Sequence, residues 1–388
     1  MTLATPGTHQ SLADFIKGVH AHLRRRVQDG VDSDRVWDEH VELEKSIRDR
    51  YASAMRDLAT NYWENSEPKA SRIDWVRDNV CQYFYGCDDW ELIKNGSSFD
   101  VALSDAKDTD TSSYDSVAEK SGLFSAICKD IRRSLFDAGQ LNKDTESGRL
   151  VLSEEDAARV HSEGRTRWKM CLCSARRKSS FADREWLGLP LRLLDVGSCF
   201  DPFSRFDLFD TLAIDISPAT RSVVEMDFTH VDVTNSEGNS SCASEINRAA
   251  VSPVEKRQSI PGKSFHVVVF SLLLEYFPSP HLRWTCCWKA NKVLTIDGVL
   301  AIITPDSSHV NKRAAQMKSW QTALENYLGF KRWRYEKLTH LHCMIYRKVA
   351  EVDDVPPSTL DAGELYAMLY IPQDRNQSGT TPVDIDSS

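Results

Sequence analysis

Apolar residues near the start of the chain recur at steps of three and four residues, which is the spacing of one face of a helix. The pattern predicts amphipathic helices over 12–27 and 36–62, and a third helix over 73–84 that Ser71 caps. The aromatic residues of these segments are expected to pack between the helices. We therefore predict a helical N-terminal domain over residues 10–95.

The stretch from 191 to 348 has a different pattern, in which short apolar runs alternate with helical spacing and turns. Helices are predicted over 281–294 and 311–327. The predicted strands are 191–196, 212–216, 265–273, 299–304, 331–337 and 342–347. A doubly wound α/β sheet that ends in an antiparallel hairpin is the layout of Rossmann-like class I methyltransferases, and we predict this fold for residues 191–350.

Polar stretches separate these regions. Residues 96–120 are rich in Ser, Asp and Thr, cannot bury enough apolar surface to offset the entropy of ordering, and are predicted to be a flexible linker. A connecting segment over 121–190 combines a short helix with a basic run, which suits a phosphate backbone, an acidic partner or a solvated surface. The basic residues are Arg165, Arg167, Lys169, Arg176, Arg177 and Lys178.

An insertion and a tail complete the organisation. Residues 235–262 are rich in Ser, Asn and Pro and are expected to form a mobile excursion with one short helix near 243–250. The tail over 351–388 is acidic and is expected to be mostly disordered. Within it, the helical spacing of apolar residues at 360–371 suits a docking element or an additional covering helix.

Residues suited to ligand binding follow the ends of the predicted strands. Gly197 ends the first strand, where the absence of a Cβ lets the polar end of a ligand approach. Asp215 closes the second strand 18 positions later, a spacing that suits a carboxylate bound to ribose hydroxyls. The alternative is that Asp215 only caps a helix. The glycine-rich fingerprint is incomplete, because Cys199 and Pro202 stand where further glycines are expected.

Three more positions extend this candidate site. Asp227 can accept from the exocyclic amine of adenine, and Phe228 can pack against its ring. Ser271 is expected to face the reactive end of the ligand. Amine-directed methyltransferases of nucleic acids often carry Asn-Pro-Pro-aromatic at this point, whereas the chain has Ser-Leu-Leu-Leu at 271–274. No catalytic residue is assigned, because Glu275 and His266 are candidates for a general base by proximity alone.

Composition and charge narrow the class of protein. The chain has 388 residues, 41% of them hydrophobic, and a net charge of −9, which argues against a surface that binds nucleic acid throughout. We find no secretion signal and no apolar run long enough to span a bilayer, and we expect an intracellular, cytoplasmic protein without membrane insertion. The ten cysteines have no zinc-site spacing and predict buried reduced thiols and no metal site.

Several runs resemble a known family. They are LRLLDVGSCFDPF, AIDISP, MDF, FHVVVFSLLLEYFPSP and AIITPDSSH in the predicted sheet, with RVWDEH, AMRDLATNYW and SRIDW before it. These runs are similar to the S-adenosylmethionine sensor upstream of the TOR complex 1 pathway, a family related to fungal adenine-N1 methyltransferases of large-subunit ribosomal RNA. The resemblance implies binding of S-adenosylmethionine, and of S-adenosylhomocysteine, through Gly197, Asp215, Asp227, Phe228 and Ser271.

The resemblance also implies partners and a signalling role. It implies that the ligand-free protein binds the KICSTOR complex and the GTPase-activating complex for Rag GTPases. TOR complex 1 signalling is then inhibited when S-adenosylmethionine is low, and ligand binding releases the partners. Recruitment to the lysosomal surface would follow through these partners. We add the hypothesis that the N-terminal helices close over the ligand, with Arg72 at the start of the third helix as a partner for its carboxylate.

Two other functions stay open at this point. The first is an S-adenosylmethionine-dependent RNA (adenine) methyltransferase, whose RNA surface would be the basic residues at 165–178 and the predicted hairpin strand at 331–337. Methyl transfer needs little beyond alignment of the nucleophile with the sulfonium, so the missing tetrad does not exclude it. The second, a nicotinamide-dependent oxidoreductase, is disfavoured by the incomplete glycine set and the terminal hairpin.

Overall fold

The computed structural model describes residues 8–63, 71–85, 121–143, 150–176, 190–234, 258–306, 310–352 and 361–374. The chain forms two compact units. The first consists of Met1–Ser71 together with Arg192–Ser388, and the second consists of Arg72–Leu191. The predicted helical domain over 10–95 is therefore divided between the two units.

Three helices begin the first unit: α1 (His9–Gln28), α2 (Ser33–Leu43) and α3 (Lys45–Leu58). The predicted second helix over 36–62 was wrong as a single element. It breaks at Glu44, whose φ of −101° and ψ of 39° leave the helical region, and it ends in a π-helical turn at Ala59–Trp63. Periodicity did not reveal the break because apolar residues keep helical spacing on both sides of it.

The second unit contains α4 (Arg72–Tyr85), α5 (Gly122–Asp137), the antiparallel pair β1 (Asn142–Lys143) and β2 (Leu150–Val151), and α6 (Glu154–Arg176). Ser121 caps α5, donates to the carbonyl oxygen of Phe84 over 2.9 Å and accepts from Trp168 Nε1 over 3.3 Å. One hydroxyl thereby joins all three helices. The predicted helix over 73–84 is confirmed, and it begins directly after Ser71.

A seven-stranded sheet forms the centre of the first unit. In chain order the remaining strands are β3 (Leu191–Val196), β4 (Phe209–Asp215), β5 (Val224–Glu225), β6 (Asp232–Thr234), β7 (Ser259–Pro261), β8 (Phe265–Ser271), β9 (Leu294–Pro305), β10 (Phe330–Leu338) and β11 (Leu341–Lys348). The sheet order is β10-β11-β9-β8-β3-β4-β5, while β6 and β7 form a separate parallel pair. β3, β8 and β9 run parallel, and β9, β11 and β10 pair antiparallel. The predicted fold class is confirmed.

Packing explains the positions of the central strands. The first six residues of β8 are buried, as its continuous apolar run predicts. β9 begins at Leu294 instead of the predicted 299, so Asp297 lies inside a strand. Asp297 has a positive φ of 63°, and its carboxylate forms a buried ion pair with Arg347 of β11. This ion pair joins residues 50 positions apart, and local sequence patterns do not predict such a contact.

Helices α7 (Pro280–Val293), α8 (Val310–Asn326) and α9 (Ala362–Ala367) complete the first unit. α9 begins with a capping box between Asp361 and Glu364, and Leu365 and Leu369 are buried against the first unit. Of the two readings of 360–371, the covering helix is the one observed. Residues 353–360 and 375–388 of the tail, and the helix expected near 243–250, lie outside the described residues.

Two sequence expectations concern thiols and membranes. The described cysteine side chains are buried, as predicted, at Cys81, Cys128, Cys199, Cys286, Cys287 and Cys343. Across the part of the chain that the structure describes, no helix is both long and apolar enough to cross a bilayer.

Candidate ligand-binding site

Five of the six predicted site residues line one cavity of the first unit. Gly197, Asp215, Asp227, Phe228 and Ser271 come from the ends of β3, β4, β5 and β8 and meet around this space. The carboxyl ends of parallel strands are where open α/β sheets bind their ligands. The other wall of the cavity comes from α2 and α3.

Gly197 forms the turn that leaves β3. Its φ is +73°, and a Cβ at this position would lie 2.8 Å from Leu273 Cδ1. The N–H groups of Gly197 and Ser198 both donate to the carbonyl oxygen of Ile214, over 2.9 and 3.0 Å. The turn is therefore held against β4 in a conformation that favours glycine.

Asp215 is a half-buried carboxylate with capacity for further hydrogen bonds. Oδ1 accepts from the Ser217 N–H over 2.8 Å, and Oδ2 accepts from the Cys199 N–H over 3.0 Å. Burial raises the pKa of Asp215 to about 6, although these backbone donors act against the shift. No helix follows Asp215 before β5 within this continuously described stretch, so the helix-cap alternative was wrong. Each oxygen retains one lone pair for a ligand.

Asp227 has a full set of protein donors. Oδ1 accepts from the N–H and the hydroxyl of Thr229, both over 2.8 Å, and Oδ2 lies 2.9 Å from both Trp37 Nε1 and His230 Nδ1. Burial raises the pKa of Asp227, but the hydrogen bonds from His230 and Thr229 outweigh it and hold the pKa below its usual value. An adenine amine can therefore reach this carboxylate only by sharing or replacing a donor.

The N-terminal helices bond directly to the loops of the site. Asp49 of α3 accepts from the Ser217 hydroxyl over 2.5 Å, and the Ala52 carbonyl oxygen accepts from Cys199 Sγ over 3.1 Å. Arg48 of the same helix donates to the carbonyl oxygen of Ile216. Together with the Trp37 bond, these contacts tie α2 and α3 to the loops that follow β3, β4 and β5.

An aromatic cluster closes the cavity beside β8. Tyr51 of α3 stacks on Tyr276, with ring centroids 4.4 Å apart and planes 6° apart. The Tyr276 hydroxyl lies 2.6 Å from His40 Nε2, and the Tyr51 hydroxyl lies 2.8 Å from His20 Nε2. Burial lowers the pKa of His20 to about 3, so its imidazole is neutral at physiological pH.

Sequence reasoning proposed that the N-terminal helices close over the ligand, but it named none of the residues with which α2 and α3 line this cavity. Trp37, Arg48 and Tyr51 line the cavity, as does Tyr276 after β8. The helical spacing of Trp37 and Tyr51 predicted that both would pack in the core. No local sequence pattern indicated a role for Arg48. Periodicity identifies a buried face but does not show whether that face meets other side chains or a cavity.

Neither candidate general base lines the cavity. His266 Nδ1 accepts from the Arg192 N–H over 2.9 Å, and burial lowers the pKa of His266 to about 3. Glu275 is buried and accepts from the Thr304 hydroxyl. The geometry thus supports ligand binding and assigns no catalytic role to these two residues.

Arg72, the sixth predicted site residue, begins α4 in the second unit. Its role as a carboxylate partner stays a prediction. The basic residues Arg165 and Arg167 lie on α6 of the same unit.

The sheet order, the antiparallel hairpin at one edge and the cavity at the strand ends define a Rossmann-like class I methyltransferase fold. Two similar solved structures are the 1,6-didemethyltoxoflavin-N1-methyltransferase of Burkholderia thailandensis and a TehB-like S-adenosylmethionine-dependent methyltransferase of Corynebacterium glutamicum. The first is 15% identical with a TM-score of 0.29, covering 54% of this chain and 95% of that chain. The second is 14% identical with a TM-score of 0.27, covering 49% and 99%.

Relatives of known role share nearly the whole chain. The "S-adenosylmethionine sensor upstream of mTORC1" of Danio rerio is 38% identical over 368 residues, which are 95% of this chain and 77% of the relative. The protein of the same name from Xenopus tropicalis is 34% identical over 372 residues, with the same two coverages. The chain belongs to the family of S-adenosylmethionine sensors upstream of mTORC1. No protein-family model matches it.

Proposed function

We propose that the chain binds S-adenosylmethionine in the cavity at the carboxyl ends of β3, β4 and β8, and that binding controls a step upstream of TOR complex 1. The observation that carries the proposal is the convergence of a positive-φ glycine and two half-buried carboxylates on one cavity. The names of the relatives from Danio rerio and Xenopus support the choice of ligand and of pathway.

Each lining residue has a role in this proposal. Asp215 accepts from the ribose hydroxyls, and Gly197 lets the polar end of the ligand approach the backbone. Asp227 and Phe228 meet the adenine, and Ser271 faces the sulfonium. S-adenosylhomocysteine differs by one methyl group and fits the same contacts.

The proposal extends to the partners. The ligand-free chain binds the KICSTOR complex and the GTPase-activating complex for Rag GTPases in the cytoplasm, is recruited through them to the lysosomal surface, and leaves them when ligand binds. Its support is that α2 and α3 both line the cavity, so ligand contacts act directly on two helices whose other faces meet solvent. Co-precipitation of both complexes with and without added S-adenosylmethionine tests this step.

Thermal unfolding with S-adenosylmethionine, S-adenosylhomocysteine or NAD tests ligand binding. Ligand at one hundred times its dissociation constant adds about 2.7 kcal/mol to the free energy of unfolding and raises the midpoint by several degrees. Gly197→Asp and Asp215→Ala should abolish the shift. Asp14→Ala, which removes an exposed carboxylate of α1, is the control that keeps it. No shift with either adenosyl ligand, or a shift with NAD alone, contradicts the proposal.

A second candidate function is methyl transfer to RNA. The observation that favours it is the basic composition of β10, the strand at one edge of the sheet. It carries Lys331, Arg332, Arg334 and Lys337, interleaved with Trp333 and Tyr335. Three of these charges already have a carboxylate partner: Lys331 pairs with Glu325 at 3.1 Å, Lys337 with Asp306 at 2.6 Å and Arg334 with Glu336 at 3.9 Å. Methyl incorporation into total RNA above a Gly197→Asp control would favour the enzyme over the sensor.

Arg72 is retained as part of the proposal. We expect Arg72→Ala to weaken S-adenosylmethionine binding, because the ligand carries a carboxylate that needs a cationic partner. Unchanged affinity in calorimetry would remove Arg72 from the site and leave the rest of the proposal standing.

A further inference from the structure

Arg48 has an unusual environment for an arginine. It is 5% exposed, it lines the ligand cavity, and its Nε has no hydrogen-bond partner among the described residues. One terminal nitrogen donates to the carbonyl oxygen of Ile216 and lies 3.9 Å from Glu225. A buried guanidinium with an unmet donor is costly, and such a group is found where a ligand satisfies it.

Arg48 is also the single lysine or arginine that lines the cavity within the described chain, and Asp215 and Asp227 supply carboxylates to the same lining. Its contact with Ile216 puts the guanidinium beside Asp215, the preceding residue. The two side chains therefore form a donor and an acceptor at the same end of the cavity.

This pairing suits the chemistry of a ribose. Each hydroxyl of a cis-diol donates one hydrogen bond and accepts others, so full recognition needs both kinds of protein group. The spare lone pairs of Asp215 accept from the hydroxyls but cannot donate to them. Arg48 Nε supplies the missing donor, and because it is charged, the bond it makes is stronger than a neutral one.

We propose that Arg48 contacts the ligand, donating from Nε to a ribose hydroxyl oxygen while Asp215 accepts from the diol, so that the cavity selects adenosine ligands with an intact 2′,3′-diol. The inference rests on the proposed function, since it takes the ligand to be an adenosyl compound. It adds a residue of the N-terminal helices to the specificity of the site.

Calorimetry with three ligands tests the proposal: S-adenosylhomocysteine and its 2′-deoxy and 3′-deoxy analogues. The wild-type chain should bind each analogue at least tenfold more weakly than the parent. Arg48→Gln should weaken the binding of S-adenosylhomocysteine at least tenfold. It should have a much smaller effect on the affinity for the analogue that lacks the hydroxyl bonded to Arg48. Arg50→Gln, an exposed arginine of the same helix, should change none of the three affinities.

The outcomes separate this inference from the proposed function. A wild-type chain that binds neither S-adenosylhomocysteine nor S-adenosylmethionine overturns both. If the wild-type chain binds both deoxy analogues as tightly as S-adenosylhomocysteine, the proposed role of Arg48 is overturned before any variant is measured. An equal loss of affinity for all three ligands in Arg48→Gln also overturns the proposed role. Such a result would mean that Arg48 only holds the loop at Ile216 in place. Arg48→Lys, which retains the charge but has no donor at the Nε position, should behave as Arg48→Gln.

Discussion

The Asp215 carboxylate is half-buried, and its ionised form has two backbone donors and one partly paired cation, Arg48, nearby. Burial dominates, and the pKa rises to about 6. The folded chain therefore holds this proton more tightly than the unfolded chain does. The resulting stabilisation is present at low pH and is lost as the pH rises through about 6. Retaining a carboxylate at this cost is expected where a ligand uses its charge.

Ligand affinity should have the opposite pH dependence. Only ionised Asp215 offers acceptors to both ribose hydroxyls, so protonation below about pH 6 competes with binding. We expect the dissociation constant for S-adenosylhomocysteine to rise about tenfold from pH 7 to pH 5, the range that brackets this pKa. Calorimetry across this range measures the change. Constant affinity would show that Asp215 does not bind the ligand in its ionised form.

Gly197 gives a second prediction for a single residue. Gly197→Ala places a Cβ 2.8 Å from Leu273 Cδ1 in a backbone with a φ of +73°. The left-handed conformation alone costs about 1–2 kcal/mol for an L-residue, so urea unfolding should show at least this loss of stability. Gly18→Ala is the control, because a Cβ there meets nothing within 4 Å. It should stabilise α1 by up to about 1 kcal/mol.

At the scale of elements, the bond from Trp37 of α2 to Asp227 after β5 joins residues 190 positions apart. Trp37→Phe keeps an aromatic ring and removes the N–H donor, and a hydrogen bond to a charged group contributes about 1.5–3 kcal/mol. We expect a loss of this order in urea unfolding. Trp284→Phe, which shortens a buried indole against Tyr366, measures the loss of volume alone. An equal loss in both variants would mean that the Trp37 bond contributes nothing.

Elements differed in how far local patterns predicted them. The buried run of β8 and the hairpin of β10 and β11 were predicted because burial on both faces and alternation are properties of the local sequence. The break at Glu44 and the early start of β9 were not. Asp297, which has a positive φ within β9, pairs with Arg347, a partner distant in sequence.

For the whole first unit, Arg283 connects the C-terminal segment to the loop after β8. It is fully buried, donates to the carbonyl oxygens of Leu274, Phe277 and Leu369, each over 3.0 Å, and forms a two-contact ion pair with Asp374 at 2.7 Å. The loop that carries the Leu274 and Phe277 carbonyls also supplies Phe277 to the cavity lining. The tail is therefore linked to the cavity through one guanidinium.

Breaking this pair should be strongly destabilising. Asp374→Ala leaves Arg283 buried without its counter-charge, and removal of one partner of a buried pair costs about 3–5 kcal/mol. We expect a loss of this size in urea unfolding. Glu364→Ala removes only the exposed half of the α9 capping box and should cost at most about 1 kcal/mol. A loss no larger in Asp374→Ala than in Glu364→Ala would contradict the linkage.

The sequence by itself determined the class of fold and the five cavity residues at strand ends, because strand periodicity, a turn glycine and a carboxylate at the end of a strand are local signals. Only the tertiary structure decided that α2 and α3 complete the cavity. Trp37 and Arg48 reach their partners across 190 and 168 positions of chain. Their spacing carries only the signal of an amphipathic helix, and the groups that they meet are set by how that helix packs on the sheet.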